Sequence, residues 1–486
     1  MTQTAPLSVS LSADEDLTAA LARMLAAILR PGQTVLLDGP VGAGKTHFAR
    51  ALIRARQGEA AEDVPSPTFT LVQTYDDPMG TEIWHADLYR LTDPSELDEL
   101  GLDEAQEGAI CLIEWPDRLE ALPEGALTVA LSPLPDPGLR RITLSGRAQE
   151  WPDLPRLLRR AEFVAGAGWG AARVLPLAGD ASARRYFRLQ GAQGSAVLMD
   201  DQGGDGGGGT APFLAMTDWL RGHGFGAPEI LAQDAQAGLL LVQDLGDDLV
   251  ARVLERQPAQ APAIYARITD FLVQLHRQPV PDFVAPLDGS AMAQQVGLFA
   301  EWYPQAAGAG AAAAGDAAAI APLVARLHAD LAADQPPVLS LRDFHAENLI
   351  WRGEDPLGVI DYQDAVSCHP AYDLVSALQD ARRDVAPQIE ADCIARYLAA
   401  TGLEADRFRA AYALMGAQRN LRIIGIFTRL CLRDGKPRYL DFMPRVWGCL
   451  ARDLAHPALA PLAAIVQALP APGPAVIERI RRQCRP

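Results

Sequence analysis

Eight residues constrain this chain more than any others. Gly39-Pro40-Val41-Gly42-Ala43-Gly44-Lys45-Thr46 has the form G-x-x-x-x-G-K-T. The apolar run Thr34 to Asp38 precedes it and reads as a short strand, and a helical stretch from about Thr46 to Arg56 follows. Glycines let successive backbone N–H groups turn inward around phosphate oxygens, and the helix N-terminus behind them adds positive potential. Gly39, Gly42, Ala43 and Gly44 form that cradle, Lys45 reaches the outer phosphates of ATP, and the Thr46 hydroxyl is placed to ligate Mg²⁺. A strand, a glycine loop and a helix in this order demand an α/β fold. The chain has 43 basic residues, yet only Lys45 and Lys436 are lysines. A bias towards arginine explains the total but not the position of Lys45.

A chain of 486 residues is long enough for two to four domains. With 49% hydrophobic and 21% charged residues it is ordinary for a globular protein, and disorder as the main theme is excluded. A net charge of −18 excludes a broad electrostatic grip on nucleic acid or an anionic membrane. No stretch of membrane-spanning length is apolar and free of charges, so no membrane partner is expected. Met1 to Asp16 is acidic where a secretory leader starts basic. The six cysteines form no C-x-x-C and read as free thiols in a reducing cytoplasm.

Ser12-Ala13-Asp14-Glu15 has the pattern of a capping box, and Leu17, Leu21, Met24, Leu25 and Ile28 follow at helical spacing. Glu82 to Asp87 and Ala109 to Glu114 are apolar runs ending in acids. Strands alternating with helices predict a mainly parallel sheet, with Asp87 and Glu114 at strand ends near the phosphates. The pattern weakens between about Arg140 and Ala161, where Trp151-Pro152-Asp153-Leu154-Pro155 reads as a boundary. Two domains, 1–150 and 160–486, follow. The second restarts with strand-like runs at Arg173 to Leu177, Tyr186 to Gln190, Ser195 to Met199 and Leu239 to Val242, then turns helical. Gly203 to Gly209 reads as a loop, and Ala306 to Ala319 as a weak helix or a surface loop.

Val64-Pro65-Ser66-Pro67-Thr68-Phe69-Thr70-Leu71-Val72, His85-Ala86-Asp87-Leu88-Tyr89-Arg90-Leu91 and Leu112-Ile113-Glu114-Trp115-Pro116 occur in that order. Over about residues 8 to 145 the chain resembles the TsaE family, the ATPase subunit of the bacterial tRNA threonylcarbamoyladenosine machinery. The resemblance implies that Ser66 to Phe69 is a switch-like loop with Thr68 as its reactive residue. It also implies Mg²⁺ ligands at Thr46 and Glu114. Its partners would be the other subunits of the transferase complex that modifies adenosine 37, with tRNA engaged indirectly.

A second constellation lies at Ser340-Leu341-Arg342-Asp343-Phe344-His345-Ala346-Glu347-Asn348-Leu349-Ile350. Asp343 and Asn348 keep the D-x-x-x-x-N spacing of a kinase-type catalytic loop, in which the Asp faces the acceptor hydroxyl and the Asn reaches a metal on the phosphates. Leu357 to Ile360 is a further strand, and Asp361 stands where the metal-binding Asp of D-F-G would. This half resembles aminoglycoside phosphotransferases and choline kinases, hence a two-lobed, α+β protein-kinase-like fold. Gly179-Asp180-Ala181-Ser182-Ala183-Arg184-Arg185-Tyr186-Phe187-Arg188, Gln418-Arg419-Asn420-Leu421 and Arg433-Asp434-Gly435-Lys436 narrow the likeness. Over about residues 160 to 486 they resemble the anomeric kinase of cell-wall recycling, acting on N-acetylmuramate and N-acetylglucosamine. The resemblance puts Asp180, Ser182 and Arg185 in the loop over the nucleotide phosphates.

There are departures. The usual His before Arg-Asp is Leu341, the D-F-G phenylalanine is Tyr362, and no lysine precedes Lys436 in this half. A phosphate-binding lysine on the strand around Met199 is therefore missing, and Arg184 or Arg185 is the available replacement. Arg419, Arg429 and Lys436 are placed at the acceptor's carboxylate, and Asp373 beside the acceptor or bracing the catalytic loop. The expectation is thus a fusion of two ATP-using halves. The alternatives for the second half are another acceptor, aminoglycoside or choline-like, or an ATP-binding regulatory module without turnover. Arg419, Arg422 and Arg429 speak against the acidic pocket that a polycationic acceptor needs.

Overall fold

The computed structural model describes residues 6–58, 61, 63–91, 101–177, 184–203 and 209–485. The chain divides into two units, residues 1–211 with 229–244, and residues 212–228 with 245–486.

The first unit holds two sheets. Strands β1 (Pro6–Ala13), β2 (Thr34–Asp38), β3 (Val72–Asp76), β4 (Glu82–Asp87), β5 (Ile110–Glu114), β6 (Leu127–Pro133) and β7 (Arg140–Arg147) form one seven-stranded sheet in the order β1-β7-β6-β2-β5-β4-β3. Its centre, β6-β2-β5-β4, is parallel, and antiparallel strands are added at both edges. In β5 every residue from Ile110 to Glu114 is buried, as a strand covered on both faces requires. Towards the edge, β7 alternates between buried and partly exposed residues, which marks an antiparallel strand with one face on the core.

Helix α1 (Glu15–Ala26) starts at Asp14, whose side chain accepts from the Leu17 backbone N–H at 2.8 Å. The capping-box reading from Ser12 is corrected here, because Ser12 lies in β1 and pairs with Arg141 across the ladder. Helix α2 (Lys45–Gln57) follows the glycine loop, α3 (Leu102–Gly108) precedes β5, and α4 (Leu154–Gly166) follows β7.

Strands β8 (Arg173–Leu177), β9 (Arg185–Gly191), β10 (Gly194–Asp200), β11 (Ile230–Asp234) and β12 (Leu239–Gln243) form a wholly antiparallel sheet in the order β11-β12-β10-β9-β8. One apolar core runs through the unit. It joins Leu21, Met24 and Leu25 of α1, Leu157, Ala161 and Val164 of α4, and Val174, Leu189, Leu198 and Leu241 of the second sheet. The approach is close at Gly170, where an added Cβ would lie 3.4 Å from that of Ala20, and Arg23 Nη1 donates to its carbonyl at 2.8 Å. Arg160 of α4 is fully buried and ion-paired with Asp200, which also accepts from Arg156. Asp153 gives Arg160 a second carboxylate at 3.3 Å, so the two guanidiniums do not rest on Asp200 alone.

The second unit is mainly helical. Its longest helix, Ala405–Leu432, packs at Gly425 against Gly289–Ala307, where an added Cβ would meet the Phe299 backbone N at 2.6 Å. Ala311–Asp316 is helical, which resolves the alanine-rich stretch. Short strands Ala285–Pro286, Val338–Ser340 and Val366–Cys368 make a three-stranded sheet, and Leu349–Ile350 pairs with Gly358–Val359. Among the described residues no single helix is long and apolar enough to cross a membrane.

Candidate active sites

The first site sits at the C-terminal ends of the parallel strands. Gly39 and Gly44 have φ of 141° and 103°, and a Cβ on Gly39 would lie 2.3 Å from the Leu131 carbonyl oxygen. Only glycine suits such a turn. Lys45 Nζ donates to the carbonyls of Gly39 at 2.7 Å and Pro40 at 3.1 Å and lies 3.6 Å from the centre of the Trp115 ring. Burial pulls the Lys45 ammonium below the ordinary lysine value, against the opposing pull of Glu114, Asp87, Asp38 and Asp117. It is thus a partly desolvated cation facing carboxylates, suited to a polyphosphate.

Parallel register sets Asp87 of β4 beside Glu114 of β5. Glu114 divides its two oxygens: Oε2 accepts from Thr46 Oγ1 at 3.1 Å, and Oε1 lies 3.0 Å from His85 Nε2. Asp87 Oδ2 accepts from Ser66 Oγ at 2.9 Å and Thr68 Oγ1 at 2.7 Å. The structure therefore brings Lys45, Thr46, Glu114, Asp87 and Thr68 together. Sequence reasoning missed His85 and placed Ser66 only as part of the switch-like loop. His85 stands two residues before Asp87 on a strand and shares its face, so the period of two was the available signal.

The second site is a loop held from below. Arg342 and Asp361 have φ of 69° and 60°, a conformation that costs strain in non-glycine residues and is common at functional loops. Asp373, 1% exposed, accepts from Ser340 Oγ at 2.6 Å, Leu341 N at 2.7 Å and Arg342 N at 3.0 Å. Burial raises its carboxyl to about 6, though these hydrogen bonds and Arg419 pull the other way. Asn348 Nδ2 donates to the Asp343 carbonyl at 2.9 Å and lies 3.5 Å from Asp361 Oδ2. Burial pushes the Asp343 carboxyl up, but Arg419, Arg422, His345 and Arg342 together hold it below the usual range. Asn348 thus bridges the Asp343 backbone and the Asp361 carboxylate, which brings the three residues together. Tyr362, in place of phenylalanine, stacks on Phe213 and its hydroxyl lies 2.7 Å from that of Thr217.

Asp373 faces the loop backbone, in the bracing position. Two other placements differ from expectation. Arg419 is 4% exposed and donates to Ser376 Oγ at 2.9 Å, and Ser376 in turn donates to the Arg342 carbonyl at 3.2 Å. It therefore supports the catalytic loop from within, while its Nε and Nη1 are buried with no hydrogen-bond partner. Arg185 is ion-paired with Asp153, and Arg184 with Asp201 at 3.0 Å, so both guanidiniums already have carboxylate partners. Arg429 and Lys436 are partly buried, and the Arg429 Nε has no hydrogen-bond partner. Asp180 and Ser182 lie outside the described residues. Met199, on the strand that lacks a lysine, is 1% exposed.

For a metal, the first site offers the Thr46 hydroxyl oxygen beside the Glu114 carboxylate, and the second offers the Asn348 side-chain amide, with its Nδ2 turned towards the Asp361 carboxylate. Among the described residues no group of three or more His, Cys, Asp or Glu could hold a metal ion. Such sparse oxygen sets fit Mg²⁺, which takes one or two carboxylates and completes its shell with phosphate and water.

The folds and sites define the class, a P-loop ATPase joined to a kinase-like phosphotransferase. Residues 12–140 match the family model of the threonylcarbamoyl adenosine biosynthesis protein TsaE, and residues 173–412 that of the phosphotransferase enzyme family. The chain is 40% identical over 351 residues to an N-acetylmuramate/N-acetylglucosamine kinase of Caulobacter vibrioides, covering 63% of this chain and 94% of that one. The corresponding kinase of Pseudomonas aeruginosa is 34% identical over 320 residues, covering 64% and 93%. A tRNA threonylcarbamoyladenosine biosynthesis protein TsaE of Rickettsia bellii is 46% identical over 123 residues, covering 25% of this chain and 84% of that one. The chain belongs to both families, TsaE in its first part and the N-acetylmuramate/N-acetylglucosamine kinases in its second, and is a bifunctional ATP-using enzyme.

Proposed function

We propose that the second half transfers the γ-phosphoryl group of ATP to the anomeric hydroxyl of N-acetylmuramate or N-acetylglucosamine. The observation that carries this is the convergence of Asp343, Asn348 and Asp361 on a loop braced by Asp373, in a chain similar to kinases of those sugars. Asp343 takes the hydroxyl proton as the sugar oxygen bonds to phosphorus, and the bond from phosphorus to the bridging oxygen breaks to release ADP. Asn348 and Asp361 would hold Mg²⁺, which supplies charge neutralisation on the phosphates. Most of the rate comes from positioning.

The first half, on the same reading, is the ATPase subunit of tRNA adenosine-37 threonylcarbamoylation and works with the other subunits of that machinery. Thr46 and Glu114 would hold its Mg²⁺, Lys45 its outer phosphates, and Thr68 with Asp87 the switch-like loop. Six free cysteines fit a cytoplasmic setting for both activities.

The test is phosphorus NMR of the full chain with ATP, Mg²⁺ and either sugar, in wild type and Asp343→Ala. A sugar 1-phosphate formed by wild type and lost in the variant is expected. A wild type that forms none overturns the kinase reading.

A further inference from the structure

A cavity of about 170 Å³ opens in the second unit between the segment Leu378–Val385 and the helix Met443–Leu454. Its wall carries Arg383, Arg445, Arg452, Gln379 and one carboxylate, Asp384. Asp384 is spent on Arg445, accepting from its Nε at 2.7 Å and its Nη2 at 3.2 Å. Arg452 gives only Nη2, to Glu390 at 3.2 Å and to the Cys449 sulfur at 3.5 Å.

Arg383 is the least satisfied of the three. Its side chain is 13% exposed, and its nearest carboxylates are Glu255 at 3.6 Å, Asp380 at 3.7 Å and Glu347 at 3.9 Å. Its Nε is buried with no hydrogen-bond partner. A buried guanidinium short of acceptors gains from an anion that supplies them. Asp453, beneath the wall, accepts from Gln379 at 2.8 Å and Asn420 at 3.2 Å, and burial raises its carboxyl well above the usual range.

The same segment touches the catalytic loop. Arg383 reaches Glu347, between Asp343 and Asn348, and Arg382 Nη1 lies 3.5 Å from His345 Nε2. Arg383 is thus shared between the wall of the cavity and the neighbourhood of the catalytic loop. We propose that this cavity receives the carboxylate of an acidic acceptor sugar, with Arg383 and Arg452 as the residues that set the preference for N-acetylmuramate over N-acetylglucosamine. The inference rests on the sugar-kinase reading. The two sugars differ by the lactyl group alone, so their ratio isolates the carboxylate contact. Planar guanidiniums suit it better than lysine would, since each can present two parallel N–H groups.

The test is kcat/KM for both sugars in full-length wild type, Arg383→Gln and Arg452→Gln. The ratio of N-acetylmuramate to N-acetylglucosamine is expected to fall about tenfold or more in Arg383→Gln, through KM for N-acetylmuramate, and by a smaller factor in Arg452→Gln. A ratio that stays at the wild-type value, whether both sugars weaken together or neither does, overturns the inference and leaves the kinase reading standing. Where Arg383→Gln does not fold, the more exposed Arg452 decides on the same criterion. A wild type that phosphorylates neither sugar overturns the kinase reading and this inference with it.

Discussion

The two sites are built differently. At the first, the active groups stand on neighbouring strand ends: register alone puts Asp87 beside Glu114, and the loop after β2 delivers Lys45 and Thr46 to them. At the second, the groups sit on a strained loop fastened by long-range side-chain bonds from Asp373 and Ser376, and the latter is itself fixed by Arg419. A sheet edge assembles a site by backbone hydrogen bonding, whereas a loop needs buried polar anchors and inherits their sensitivities.

The largest effect should separate the two sites outright. Asp343→Ala is expected to lower sugar-dependent ADP release by about 10³-fold, the scale of a lost general base. Lys45→Ala is expected to weaken nucleotide binding at the P-loop by about 10- to 100-fold, the scale of a lost charge-assisted hydrogen bond, without abolishing sugar phosphorylation. Calorimetric ATP titration alongside the sugar assay checks both. A variant that disables both activities equally would break the comparison.

A middle-sized effect would sharpen it. With its carboxyl raised to about 6, folded Asp373 keeps a proton that the unfolded chain releases near 3.8. The folded state therefore binds more protons in that window, and its stability falls as pH rises from about 4 through about 6, by about 1.4 kcal/mol per pH unit. Asp373→Asn cannot titrate. It loses acceptor oxygens and is less stable at pH 4.5, and its Tm deficit against wild type should narrow by pH 7. A constant deficit would mean that the brace is ionised throughout. The smallest effect is expected for Tyr362→Phe. It keeps the stack on Phe213 and loses one buried hydrogen bond to Thr217, a cost of about 1 kcal/mol readable as a small drop in Tm.

Much of the first site was legible because its signals are local. The glycine loop, the strand before it and the acids at strand ends each follow from a few consecutive residues, and β2 and β4 fall where the apolar runs ended. The edge strands β1 and β3, and β6 and β7 within the sheet, were missed because partly polar runs become strands only once a neighbour offers a ladder. Asp343, Asn348 and Asp361 were legible from spacing. Ser376 and Arg419 were not, since the contact that gives them meaning joins residues 43 apart on different helices.

The arginines mark the division most clearly. By itself the sequence determined a phosphate-binding loop on an α/β sheet and a D-x-x-x-x-N catalytic loop, because backbone geometry and short spacing specify both. It could not assign its many arginines, which look alike in the chain. Packing decided that Arg160 is buried on Asp200, that Arg185 is spent on Asp153, that Arg419 props a loop, and that Arg383 faces a cavity. The physical reason is that a guanidinium's cost or use depends on which carboxylates and how much water lie opposite it, and only the tertiary fold brings those partners within reach.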